Sequence, residues 1–100
     1  MSAIFGEVLT FAQERGPEVR LRVYGDEFYA RYETLEGYTV IYDGDLGRFA
    51  YALLRDGRFI SSGVDCTRSP PEGLQPHIEE AYEVRREIAE SRFSRRRPGH

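Results

Sequence analysis

Between Glu18 and Tyr24 the chain alternates: Val19, Leu21 and Val23 fall on one face, and Glu18, Arg20, Arg22 and Tyr24 on the other. Period-two alternation bounded by Gly16-Pro17 and Gly25-Asp26 predicts a half-buried strand. Thr10 to Gln13 precedes it across Glu14-Arg15-Gly16-Pro17 and is expected to pair with it as a hairpin. The pattern returns from Phe28 to Glu33, with Phe28, Ala30 and Tyr32 opposite Tyr29, Arg31 and Glu33. Leu35-Glu36-Gly37 supplies a turn, and Tyr38 to Tyr42 is rich in β-branched and aromatic residues, which suit a strand. Asp43-Gly44-Asp45-Leu46-Gly47 and Arg55-Asp56-Gly57-Arg58 are turn signals, because Asp-Gly tolerates the positive φ of tight hairpins. Gly37 and Gly44 are the positions expected at positive φ. The second and third turns flank strands at Phe49–Leu54 and Phe59–Val64. Strands joined this tightly are antiparallel neighbours, so residues 1–66 should form a meander of about six short strands.

The pattern changes after Cys66. Residues 67–75 hold Pro70 and Pro71 and read as a proline-rich linker, with Pro76 fit for the first turn of a helix. From 76 to 93, Ile78, Ala81, Tyr82, Ile88, Ala89 and Phe93 form one helical stripe, interrupted by Arg85 and Arg92. Such a helix is expected to dock weakly, partly through side-chain stems, or to act as a connector. Residues 94–100 form a basic tail. The predicted fold class is α+β: an antiparallel β-meander with one C-terminal α-helix, in a single domain.

Composition narrows the chemistry. One hundred residues with 40% hydrophobic and 31% charged content suit one globular domain. The net charge of −3 argues against a nucleic-acid partner, although Arg95-Arg96-Arg97 is a short basic run. All 14 basic residues are Arg, so lysine Schiff-base chemistry is excluded. One Cys and two His at scattered positions make no metal spacing, and no cofactor is expected. No apolar run approaches the ~20 residues of a membrane span. The start, Met1 to Glu7, does not read as a signal peptide. The expectation is therefore a cytoplasmic protein, or a secreted one if the chain is a fragment of an exported precursor.

The stretch from Gly25 to Val40, with Gly25-Asp26-Glu27-Phe28-Tyr29 followed by Tyr32-Glu33-Thr34-Leu35-Glu36-Gly37-Tyr38-Thr39-Val40, carries a resemblance. It resembles the amino-terminal, pro-domain-like module of immune inhibitor A-type zinc metallopeptidases. Similar modules precede other bacterial effector regions, including non-specific nucleases. The resemblance is sharpest from Val23 to Tyr42 and continues loosely to Leu74-Gln75-Pro76-His77. The chain has no His-Glu-x-x-His, so the peptidase chemistry itself is absent. The resemblance implies a non-catalytic module that binds, restrains or positions a metallopeptidase or other effector domain, attached or encoded nearby. The alternative is a free-standing intracellular protein-binding adaptor.

Few residues offer a site. Asp26 and Glu27 are adjacent carboxylates, but neighbours on a strand point to opposite faces and cannot share one substrate atom. Cys66, where a strand gives way to the linker, would block a peptidase zinc if its thiolate were exposed, or would pack as a small hydrophobe. His77 is expected on a solvated first helical turn. Tyr24, Asp26, Tyr29 and Tyr38 are the candidate partner surface; in the competing arrangement the helix covers the tyrosines as core.

Overall fold

The computed structural model describes residues 3–96. Six strands follow in chain order: β1 (Ile4–Gln13), β2 (Gly16–Gly25), β3 (Ala30–Glu33), β4 (Thr39–Asp43), β5 (Arg48–Arg55) and β6 (Arg58–Asp65). Each pairs antiparallel with its sequence neighbour, giving one sheet in the order β1-β2-β3-β4-β5-β6. A single helix, α1 (Tyr82–Arg96), follows. The expected α+β meander with one C-terminal helix is the observed architecture. Among the described residues no helix is long and apolar enough to cross a membrane.

The β5–β6 turn behaves as its Asp-Gly pair demands, with Asp56 at φ 52° and Gly57 at φ 78° between the paired Arg55 and Arg58. The β4–β5 turn does not. Asp43 pairs with Arg48, leaving a longer loop, and Asp43 Oδ1 accepts hydrogen bonds from the amides of Asp45 (2.9 Å) and Leu46 (3.1 Å). The amide of Gly47 closes the loop on the Asp43 carbonyl, so the positive φ (67°) falls on Gly47 and not on Gly44. Gly37 does take positive φ, at 98°.

The sheet curls until the tip of the β1–β2 hairpin meets the start of β5. Arg15 N donates to the Gly47 carbonyl (3.0 Å), and Phe49 N donates to Gln13 Oε1 (2.6 Å). Arg48 Nε returns a bond to the Arg15 carbonyl (2.8 Å). Inside this curl Val19, Leu21, Val40, Phe49 and Tyr51 form the core, with Phe11, Tyr32 and Leu74 among the residues packed on it. The Phe11 ring stands edge-on to Tyr32 (5.4 Å between centroids) and to Phe49 (5.7 Å), an arrangement aromatic quadrupoles favour.

The helix starts at Tyr82, later than the expected Pro76. His77 sits at φ 59°, and the segment from His77 to Ala81 makes bonds to the sheet in place of helical ones. His77 N donates to the Gly37 carbonyl (2.8 Å), Thr39 Oγ1 to the Ile78 carbonyl (2.8 Å) and Ala81 N to the Gly57 carbonyl (2.9 Å). α1 then buries Val84, pairs Glu87 with Arg58 of β6 (2.9 Å) and sets Phe93 against Phe28 of the β2–β3 loop (5.5 Å between ring centroids). Ser91 to Ser94 are exposed. The end of the predicted basic tail, 97–100 with His100, lies outside the described residues.

Candidate functional site

Two features stand out around the β3–β4 pair. The first is a clasp built on Glu33. This carboxylate is fully buried (0% exposed) at the end of β3. An isolated buried carboxylate would be costly, and its neighbours relieve that cost. Arg31 Nη2 and Nε donate to Glu33 Oε2 at 3.0 and 3.2 Å, and His77 Nδ1 lies 2.9 Å from Oε1. Arg31 also reaches Glu79 at 3.1 Å. The His77 ring rests over Gly37, where a Cβ would come within 2.8 Å of the His77 Cε1 atom. Gly37 therefore serves both the turn and the contact with His77.

The residues between complete the joint. Thr34 N donates to the Tyr38 carbonyl (2.8 Å) and Tyr38 N to Thr34 Oγ1 (3.1 Å), which closes the β3–β4 turn. Glu80, also buried, accepts from the Tyr29 hydroxyl (2.7 Å) and from Phe59 N (2.9 Å). Burial first, and then the bond to Glu80, push the Tyr29 hydroxyl far above the ordinary phenol range, so it stays a donor. The segment from His77 to Ala81 is thus fastened to β3, β4 and the β5–β6 turn.

The second feature is a fork in the sheet. β3 and β4 pair at Glu33–Thr39 and Tyr32–Val40, and there their register ends. β3 runs on beside β2 to Ala30, and β4 runs on beside β5 to Asp43. A cleft of about 380 Å³ opens where they part. Phe11, Tyr32, Tyr42 and Phe49 line it from within the curl, and Tyr29, Phe59 and Ile88 from the α1 side.

The residues expected as a partner surface are divided between these surroundings. Tyr24 and Tyr29 share the α1 side: Arg31 stacks 4.8 Å over the Tyr24 ring, and Tyr29 is tied to Glu80. Tyr38 points the other way, with its ring edge-on to Tyr51 at 6.0 Å in the core. Asp26 accepts from Phe28 N (2.8 Å) and Tyr29 N (3.1 Å), the work of a turn-forming side chain. Cys66 is half-buried against the core, with its amide bonded to the Phe49 carbonyl (3.0 Å). Burial, then the negative charge of Asp65, push its thiol up to about 11, so at neutral pH it is a thiol and not the thiolate that zinc takes.

His77 is not on a helical turn but anchored to Glu33. Glu33, Arg31 and Glu80 were not legible as a cluster, because each looks like an ordinary polar position of its own element. Among the described residues no group of three or more His, Cys, Asp and Glu side chains is placed to hold a metal ion. No protein-family model, no curated protein and no solved structure matches the chain significantly.

Proposed function

We propose that this domain is a non-catalytic, pro-domain-like module that positions a partner polypeptide, with a zinc metallopeptidase of the immune inhibitor A type as the first candidate. The clasp is the observation that supports it. Three residues of the stretch that carries the resemblance, Glu33, Gly37 and Thr39, converge on His77 and Ile78. Together they fix the path of the chain on its way to α1. A buried ion network is weak evidence for stability but suits a role in specifying one arrangement. A joint of this kind sets the direction in which whatever follows or binds is held.

The test is a complex. The whole chain, mixed with a purified immune inhibitor A-type catalytic domain, should co-elute with it and alter its peptide hydrolysis. Glu33→Gln, which weakens the clasp, should reduce the effect on hydrolysis more than it reduces co-elution. Failure to form a complex at about 10 µM would remove the peptidase reading. The free-standing adaptor is the second reading, favoured by the fork, which offers a polypeptide site that needs no peptidase.

A further inference from the structure

We propose that the fork between β3 and β4 captures an extended, apolar segment of a partner protein as an added strand. The inference shares with the proposed function only the premise that the partner is a polypeptide. The backbone geometry points to it. Thr34 N bonds to the Tyr38 carbonyl, so hydrogen-bonded pairs recur every second residue along the ladder, at Thr34–Tyr38 and Tyr32–Val40. The next such pair would be Ala30 with Tyr42. Both residues belong to strands, yet the register stops before them. Ala30 and Tyr42 therefore turn their N–H and C=O groups into the cleft, one donor and one acceptor on each wall. A free N–H and C=O on each wall are matched by the backbone of an extended segment, the chemistry of strand addition.

The side chains around the fork specify the rest. An added strand sends alternate residues to opposite faces. One set would meet the aromatic wall of Phe11, Tyr42 and Phe49, and the other the wall of Phe59 and Ile88 below α1. Both sets must then be apolar. The volume, about 380 Å³, is within the range of ligand sites and fits a few aliphatic side chains. Charge gives a polarity. Glu80 is engaged by Tyr29 and Phe59, and Arg31 by Glu33 and Glu79. Arg92, exposed on α1 at the same cleft, reaches the Phe28 carbonyl only at 3.4 Å. An acidic residue flanking the apolar segment is the complement of that loosely held guanidinium.

The experiment is amide hydrogen exchange on the whole chain, alone and with a panel of capped heptapeptides. The peptides alternate Val with Leu and are led by Asp, Ser or Lys. In the free protein the Ala30 and Tyr42 amides should exchange at least about a hundredfold faster than those of Tyr32 and Val40. A bound peptide should slow both by about tenfold or more, with the Asp-led peptides tightest, and N-methylation of alternate peptide amides should abolish the effect. Ala30 and Tyr42 amides already as protected as Tyr32 would mean a closed fork and overturn the proposal. So would binding of no panel member tighter than about 1 mM, or binding indifferent to N-methylation. Protection appearing instead along β1, the sheet edge that carries exposed Phe5 and Leu9, would assign the capture to that edge and likewise overturn it. Co-elution with a peptidase, by contrast, bears on the clasp and not on these amides, so either idea can fail alone.

Discussion

At the scale of single residues, the backbone decides more than the side chains that first draw attention. Gly25 ends β2 at φ 133°, and a Cβ there would lie 2.1 Å from the Tyr29 carbonyl oxygen. The close approach arises because Asp26 N bonds to that same carbonyl, which folds the chain back tightly into β3. Gly44, in contrast, has open space around its would-be Cβ and no positive φ. Gly25→Ala should therefore lower unfolding free energy by about 1–3 kcal/mol through strain and displacement of the turn. Gly44→Ala should stay within about 0.5 kcal/mol of the parent. Urea midpoints of the two variants check the pair, and equal effects would mean that the β2–β3 turn is looser than its geometry. Cys66 makes a second contrast. Its thiol is pushed up to about 11, so iodoacetamide should alkylate it slowly at neutral pH, with a rate that climbs as pH rises toward that value. A pH-rate profile that instead saturates near neutrality would restore the thiolate chemistry considered for it.

At the scale of elements, local signals are legible in the sequence and long-range ones are not. The strands and the Asp56-Gly57 turn follow from alternation and turn chemistry contained in a few consecutive residues. The start of α1 does not, because Pro76 to Ala81 is diverted by partners far away in sequence: Glu33, Gly37, Thr39 and Gly57. A helical stripe drawn from Ile78 cannot reveal that the backbone around it is already committed to the sheet. The fork is equally hidden, since it depends on two strands diverging and not on any residue type. Where β5 and β6 meet, Arg48 and Asp65 form an ion pair in which Asp65 is mostly buried. Burial alone would raise the Asp65 carboxyl, but the Thr67 amide and hydroxyl and the Arg48 guanidinium outweigh it and hold the group below its ordinary value. A carboxylate lowered on folding adds stability above its unfolded value of 3.8, and that contribution fades as pH falls through the folded value. Asp65→Asn should cost about 1–2 kcal/mol at neutral pH, with the gap to the parent closing in acid. A gap that stays constant on acidification would assign the loss to packing and not to charge.

At the scale of the whole molecule, the question is whether the C-terminal segment is an appendage or part of the fold. The helical stripe, broken by Arg85 and Arg92, argued for an appendage, and the end of α1 fits that description, with Ser91 to Ser94 exposed. The stretch leading to α1 does not. Leu74 packs on the core, the carboxylate of Glu33 leans on His77, and Glu80 is buried against Tyr29 and Phe59 N. Removing everything after Thr67 would open one flank of the core and take one partner from buried Glu33. It would also take Glu80 from the Tyr29 hydroxyl and the Phe59 amide, each lost hydrogen bond to that carboxyl costing about 0.5–3 kcal/mol. Added to the apolar burial lost with Leu74 and Val84, that loss is comparable with the 5–15 kcal/mol that holds a small domain folded. The chain ending at Thr67 should therefore lose its cooperative unfolding transition and the near-ultraviolet signal of its tyrosines. A chain ending at Glu90, which keeps the clasp and Val84, should retain both with a modest drop in midpoint. If the shorter chain instead unfolds cooperatively with its tyrosine signal intact, the clasp is peripheral to the fold. The chain's path toward α1 would then be free to swing, and the positioning role would give way to one of release.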